Sequence, residues 1–591
     1  MAWWRRDEPE ARAGAESEDA ATPPPPPATT AERYRRAEIA AIPAGDGEVL
    51  VHVRGGETHV LPEGTFDLLR RCTPFRTLDD HLRTLADELQ MDHSLHGPVR
   101  QELGRLAGLG LLIAHTQIWR AARAAEPGPA PPAIAAVAVL TCDRPDAARR
   151  CVMSVIDAAR RHGRTPAIVV SDDARDPATA AALREEITRI AADYPAVTHA
   201  GHAERAAFLD DLAREAGATP DVYDALRFAL LPDDDDVTPG ANRNYLLLRL
   251  AGAPFLSLDD DTVCRLAPLP DREEGRALSA LPDPTQFWFY PDRDAARDAA
   301  DWQEVDPVAA HEAFLGRTAA ACVAALADPA GLDLDEADGA LLRRLSAGAR
   351  VAVTAAGVRG DSGMASPSYY LALRGPSRER LIADYETSRE TRTVARGVAR
   401  PTLSTGAFLM TGCVGLDAST LLPPFLPLGR NEDGVFAQTL RTVAPDALIA
   451  HLPWTIDHDP PEVRAFTPET RHAVLSSLAL AQAVSLSLSP TPLGPGGDPA
   501  ARLERAGRAL QETAALPDPD LLEFLYLQRL AQIGRHIAHL EESLRLYDGW
   551  PTPWADDLAE VIAADRDGLR RPEDLLPAHL GDPAQRLAAA R

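Results

Sequence analysis

The sequence predicts an α/β protein whose main domain is built on a parallel sheet, with a small α+β domain before it and a helical region after it. Three observations carry that prediction. Two apolar runs, Ile134–Leu140 and Ala167–Val170, flank a helix-like stretch and make a strand–helix–strand unit. A third apolar run, Pro254–Leu258, follows an apolar helix and ends in three aspartates. Before the main domain, short alternating runs give way to helix-period leucines; beyond it, the helix period returns alone.

The elements follow in order. Residues 1–40 are acidic and alanine-rich, run into Pro23–Pro27, and read as a disordered tail. No apolar run follows Trp3-Trp4-Arg5-Arg6, so no secretory signal is expected, and no run reaches the ~18 residues of a membrane span. Residues 41–115 form the first domain. Glu48–Val53 and Glu57–Leu61 around Gly55-Gly56 read as a β-hairpin. A helix is expected from Gly64 to Cys72, and Thr77 with Asp80 makes a capping-box-like start for the next. Leu78, Leu82, Leu85 and Leu89 line that second helix. Val99, Leu103 and Leu106 give a third, closed by the apolar stretch Gly108–Ile113. Residues 116–132 read as an Ala/Pro linker, 133–464 as the α/β domain and 465–591 as helical. In the last region Leu530, Ile533, Ile537, Leu540 and Leu544 predict a buried stripe, and Pro490–Pro499 a break between helices.

Composition excludes several functions. Of the 591 residues, 61 are basic and 88 acidic, a formal charge of −27. That argues against nucleic acid and anionic membrane as partners, because both demand a basic face. Every basic residue is arginine, which argues against a Schiff-base or Walker-type lysine. None of the six cysteines forms a C-x-x-C pair, so reduced thiols and a cytoplasmic setting are expected.

Four motifs carry chemistry. Strand Ile134–Leu140 ends in Thr141-Cys142-Asp143-Arg144-Pro145, and Ala167–Val170 ends in Ser171-Asp172-Asp173. Ligands bind beyond the carboxyl ends of parallel strands, and both clusters sit there. The second motif is Gly240-Ala241-Asn242-Arg243-Asn244 at a helix start. The third is Asp259-Asp260-Asp261, where carboxylates suit a hard cation such as Mg²⁺ or Mn²⁺ and alternate residues share a side. Asp233–Asp236 lacks such a strand and reads as an exposed loop. The fourth is Asn431-Glu432-Asp433-Gly434, where a carboxylate is either a helix cap or a general base.

In this order the four motifs resemble the GT-A-fold, family-two-like, inverting nucleotide-sugar glycosyltransferases. The resemblance implies that Thr141, Asp143 and Arg144 hold the nucleoside, with Asp172 and Asp173 reading base and ribose. Asn242, Arg243 and Asn244 resemble the family's (A/N)-R-N helix start. Asp259 and Asp261 match its metal-binding D-x-D, Asp260 falls among the donor contacts, Asp433 matches the catalytic base and Glu432 its neighbour. A late histidine is often a third metal ligand; His458 is preferred here to His451. The implied cofactor is Mn²⁺ or Mg²⁺. The stretch between Asp261 and Glu432 is longer than in the family and reads as an insertion, with a strand-like run Ala349–Thr354 and a polar segment Gly360-Asp361-Ser362-Gly363 that reads as an ordinary surface loop, the alternative being a loop that closes on substrate. The acceptor therefore does not carry over.

The hairpin, three helices and apolar tail of residues 41–115 resemble the PqqD-like winged-helix domain. Relatives of that domain recognise precursor peptides, taken up as an added strand. The resemblance implies an acceptor on a ribosomally made peptide. Three other readings compete. A haloacid-dehalogenase-type phosphatase also places aspartates after a strand but usually needs a lysine. A nucleotidyltransferase would release pyrophosphate. A peptide-binding adaptor would carry a degenerate transferase domain.

Overall fold

The computed structural model describes residues 32–126, 128–232, 237–346, 348–364, 366–406, 408–466, 480–489, 498–546 and 552–569. The loop expected at Asp233–Asp236 lies outside them, as do 1–31 of the expected tail and 490–497 of the expected break. The chain divides into two compact units after His115. No helix among the described residues is long and apolar enough to cross a membrane.

In the first unit the hairpin is a three-stranded meander, Ile39–Gly45, Glu48–Val53 and Thr58–Pro62. Helices Glu63–Arg71, Leu78–Glu88 and His96–Gly108 follow, and the Thr77 hydroxyl accepts from the Asp80 N–H as a cap. Val51, Leu61, Leu69, Leu85, Leu103 and Leu106 close the core. The expected tail extends too far into the chain. Arg33–Arg36 is a strand, paired with Leu112–Ala114 and Arg76–Thr77. Its three arginines read as solvated, but alternation turns Tyr34 inward. The expected linker also begins as a helix, His115–Ala124.

The second unit is mixed α/β. Its parallel block is β1 (Ala136–Thr141), β2 (Ala167–Asp172), β3 (Val197–Ala200) and β4 (Pro254–Asp259). Helix α1 (Pro145–Arg161) joins β1 to β2, α2 (Pro177–Asp193) joins β2 to β3, and α3 (Pro239–Arg249) precedes β4. The spatial order is β3–β2–β1–β4, so the winding reverses between β1 and β4. Beyond β4 come antiparallel β8 (Cys413–Asp417), then β6 (Arg350–Asp361) and β9 (Ala447–His458), parallel to each other. Short strand β5 (Thr262–Ala267) pairs with β9, and β7 (Thr393–Gly397) pairs with β6. Helix α4 (Glu432–Val443) leads into β9.

Two expectations change here. The strand-like run Ala349–Thr354 leads into β6, so the stretch expected as an insertion supplies a central strand of the main sheet. The C-terminal helices are not separate from the α/β unit. Ile533, Ile537 and Leu540 of helix Asp518–Leu546, with Trp554 of helix Thr552–Gly568, pack on Phe287, Tyr370 and Val394. Of the stripe read from the sequence Ile533, Ile537 and Leu540 are buried and Leu530 and Leu544 half-buried, and its partner is the segment between β5 and β8.

Candidate active site

The strand ends at the reversal of the sheet form the floor of the site. Such a reversal leaves a crevice at the carboxyl edge, because the adjoining loops turn to opposite faces. Thr141 ends β1, and its hydroxyl donates to Asp260 Oδ2 at 2.7 Å; the Asp260 N–H donates to the Leu140 carbonyl at 3.1 Å. The aspartate turn is thus fastened to the neighbouring strand end.

The three aspartates have separate partners. Asp259 Oδ1 accepts from Arg243 Nη2 at 2.7 Å. Arg243 is buried, and its Nε reaches toward Glu432 Oε1 at 3.5 Å. Asp261 Oδ1 faces His458 Nε2 at 3.2 Å, and Asp261 Oδ2 accepts from Arg144 Nη1 at the same distance. Asp259 and Asp261 were expected to share one cation. Instead Asp259 turns to Arg243 and Asp261 to His458, because the chain bends after β4 into β5 and ends the strand alternation. No group of three His, Cys, Asp or Glu side chains converges as a cation site among the described residues.

The Asp261–His458 pair still fits a cation. His458 Nδ1 donates to the Asp361 carbonyl at 2.5 Å. A neutral ring then turns the Nε2 lone pair toward a carboxylate oxygen, and two acceptors face each other. Either a proton or a cation must lie between them. Burial opposes a charge on His458, but Asp261 and the Asp361 carbonyl outweigh it and lift its pKa to about 9. Burial likewise opposes ionisation of Asp261, yet the His458 hydrogen bond and charge hold it down to about 2. Asp260 goes the other way. Burial and the neighbouring Asp261 charge push it up to about 7.

Across Arg243 lies the start of α4. Asn431 stands at φ 71°, and Glu432 and Asp433 open the helix. Asp433 Oδ1 accepts from the Gly434 N–H at 2.8 Å. Burial, then the Glu432 charge, push its carboxyl up to about 6. Asp259, Arg243, Glu432 and Asp433 therefore form one continuous array drawn from three distant segments.

The expected nucleoside end is built differently. Asp172 Oδ1 accepts from the Ala174 N–H at 2.9 Å, and its Oδ2 lies 3.1 Å from His199 Nε2. Asp173 bonds Thr238, His202 and Arg205. Burial opposes its charge, but the bonds from His202 and Thr238 and the Arg205 charge hold it below the ordinary carboxylate range. Asp143, at φ 54°, caps the Arg175 and Asp176 N–H groups at 3.1 and 3.3 Å. Its role here is to shape the loop. Asn242 staples β1 to β2 through the Thr141 and Ser171 carbonyls at 3.4 and 3.1 Å. Asn244 leaves the site altogether. Its Nδ2 donates to the Phe425 carbonyl at 3.0 Å, and its Oδ1 accepts from the Phe425 N–H at 2.7 Å. Successive helix positions are about 100° apart, so only Arg243 of the three faces the acids.

His451 is remote from Asp261. It is buried, with Nε2 3.1 Å from Ser404 Oγ. Further residues contribute. Asp361 was placed on a surface loop, but it ends β6, is buried, and accepts twice from Arg392 at 3.0 and 2.9 Å while its carbonyl holds His458. Gly360 permits this at φ 121°, since a Cβ there would meet the His458 carbonyl at 2.2 Å. His199, inside β3, and His202, at the start of the helix that follows it, reach Asp172 and Asp173 at the same edge. Asp459, gripped by Arg150, Arg293 and Arg297, carried no signal in its local sequence. Comparison with family models and with curated proteins gave no match.

Proposed function

We propose that the second unit is a metal-dependent, inverting glycosyltransferase of the GT-A, family-two-like kind, moving a sugar from a nucleotide-sugar donor to an acceptor hydroxyl. The observation that supports it most is the array Asp259–Arg243–Glu432–Asp433 beside Asp261–His458 at the reversal of the sheet. Chemistry from four segments meets there at one edge.

In this reading Asp172 and Asp173 lie at the nucleoside end and Arg144 faces the diphosphate. Asp261 and His458 would hold a divalent cation, Mn²⁺ or Mg²⁺, which when bound would supply positive charge against the diphosphate leaving group. Arg243 keeps Asp259 and Glu432 in place beneath the sugar. Asp433 accepts the proton of the acceptor hydroxyl as that oxygen attacks the anomeric carbon from the face opposite the leaving group. A raised carboxyl pKa suits a base that must take an alcohol proton and release it again.

For the first unit we propose a PqqD-like role. Its meander followed by three helices supports capture of a peptide that carries the acceptor. Tethering would raise the effective concentration of that acceptor at the transferase site.

The test is calorimetric titration of UDP and GDP, with and without Mn²⁺, into wild type and Asp261→Ala. Mn²⁺-dependent binding that the variant loses supports the transferase. Binding of no nucleotide, with the remaining bases also tried, overturns it in favour of a peptide-binding adaptor.

A further inference from the structure

We propose that the Glu462 carboxylate occupies the place of a phosphate group between Arg144 and Arg464, and that an anionic ligand displaces it and takes both arginines. That the anion is a nucleotide's diphosphate rests on the transferase reading; the phosphate chemistry of the place does not. The chain leaves β9 at His458 and forms an irregular arch over residues 459–466. Both ends of the arch are fixed. The Asp459 N–H donates to the Asp261 carbonyl at 2.7 Å, and the Asp459 carboxylate is held by Arg150, Arg293 and Arg297. At the far end Phe466 is buried and stands edge-on to Tyr370.

Between those ends the arch is open to water. Pro461, Glu462, Val463 and Ala465 are exposed, Val463 at 91%. Charge holds the middle in place. Glu462 Oε2 accepts from Arg464 Nη2 at 3.1 Å and from Arg144 Nη2 at 3.5 Å. The Glu462 carbonyl accepts from Arg293 Nη2 at 2.9 Å. Arg144 is shared with the acids, since its Nη1 reaches Asp261 Oδ2 at 3.2 Å and Asp260 Oδ1 at 3.5 Å. One carboxylate oxygen thus joins two guanidinium groups, and one of these already touches the aspartate that faces His458.

The side chains of Arg144, Glu462 and Arg464 are 29%, 52% and 33% exposed, so a ligand reaches all three from solvent. Carboxylate and phosphate present the same kind of charged oxygen to a guanidinium. A phosphate carries more charge, and a further oxygen to divide between two arginines, so it is the stronger partner of the pair. An ion pair as exposed as that of Glu462 is weak, and little is lost when it opens. Arg144 is fixed between the end of β1 and the start of α1, whereas Glu462 and Arg464 ride on the arch. Glu462 therefore keeps the two arginines together until an anion arrives, and Arg464 becomes a second phosphate-binding side chain beside Arg144.

Calorimetric titration of pyrophosphate with Mn²⁺ into the full chain tests this. Glu462→Gln is expected to bind it about threefold more tightly than wild type, and Arg464→Gln about threefold more weakly. Neither residue is buried, so the melting temperature should not move. Asp294→Asn removes an exposed negative charge next to Arg293 and none of the arch's contacts, and should keep the wild-type affinity. Unchanged binding to Glu462→Gln or to Arg464→Gln, an equal gain in Asp294→Asn, or no binding of pyrophosphate to any of these chains overturns the proposal. Nucleoside diphosphates form a second arm. The same threefold gain for one of them in Glu462→Gln assigns the place to the diphosphate of a nucleotide. Pyrophosphate binding that changes as expected, with no nucleoside diphosphate bound, removes the transferase reading and leaves the phosphate site standing. Mn²⁺-dependent nucleotide binding that is indifferent to Glu462→Gln keeps the transferase reading and overturns the role of Glu462.

Discussion

Asp433 sits where a base is useful and where a charge is costly. Its neighbour Glu432 and its burial raise its pKa to about 6, while Arg243 partly offsets them. The carboxylate form is the active one in the proposed reaction. Below pH 6 the group is protonated, so kcat/KM should rise about tenfold per pH unit up to that value and then level off. A pH–rate profile that is flat from pH 4 to 7 would remove Asp433 as the base. Asp433→Asn should lower turnover by about 10²–10⁴ while the dissociation constant of the donor stays unchanged, read from single-turnover rates and calorimetry. Arg243 shows the same logic in reverse. It is a buried cation made tolerable by Asp259 and Glu432, and removing it leaves two carboxylates facing each other.

At the scale of elements, α3 shows how one short helix does three jobs. Gly240 opens it against the chain at Leu426, where a Cβ would meet the carbonyl oxygen at 1.7 Å. Asn242 ties it to β1 and β2, Arg243 turns to the acids, and Asn244 clamps Phe425. The three polar residues look alike in the sequence but answer to three surfaces. Asn244→Ala leaves the buried Phe425 N–H without a partner, and should cost about 1–3 kcal/mol of stability in denaturant melts. Donor affinity of the folded variant should not change; a selective loss of affinity would return Asn244 to the site. The β6–β9 pair is a second case. Gly360 lets the strands touch, so that Asp361 can hold His458, and a Cβ there would push both apart.

At the scale of the molecule, the C-terminal helices brace the sheet's long excursion between β5 and β8. Trp554 is fully buried against that segment and under Arg378. Trp554→Ala should destabilise the second unit by about 3–5 kcal/mol, seen as a lower melting temperature for the transition that also carries nucleotide binding. The division after His115 predicts separable folding. Residues 32–115 alone should melt cooperatively, and the full chain should show two calorimetric transitions; a single transition would contradict it.

By itself, the sequence determined the local elements and the chemistry available to them. Apolar runs with polar ends placed β1, β2 and β4, and helix-period leucines placed the helices of the first unit, because these signals are written within a dozen residues. The acids at Asp259–Asp261 and Asp433 were legible for the same reason. Tertiary structure decided which side chains meet. It sent Asp259 to Arg243 and Asp261 to His458, took Asn244 away from the edge, and brought Asp361 in from an apparent surface loop. It also made a strand of Arg33–Arg36 by supplying Leu112–Ala114 as its partner. Each of these depends on a residue far along the chain. A hydrogen bond's direction is set by its partner, and no local pattern records a partner that only folding brings near.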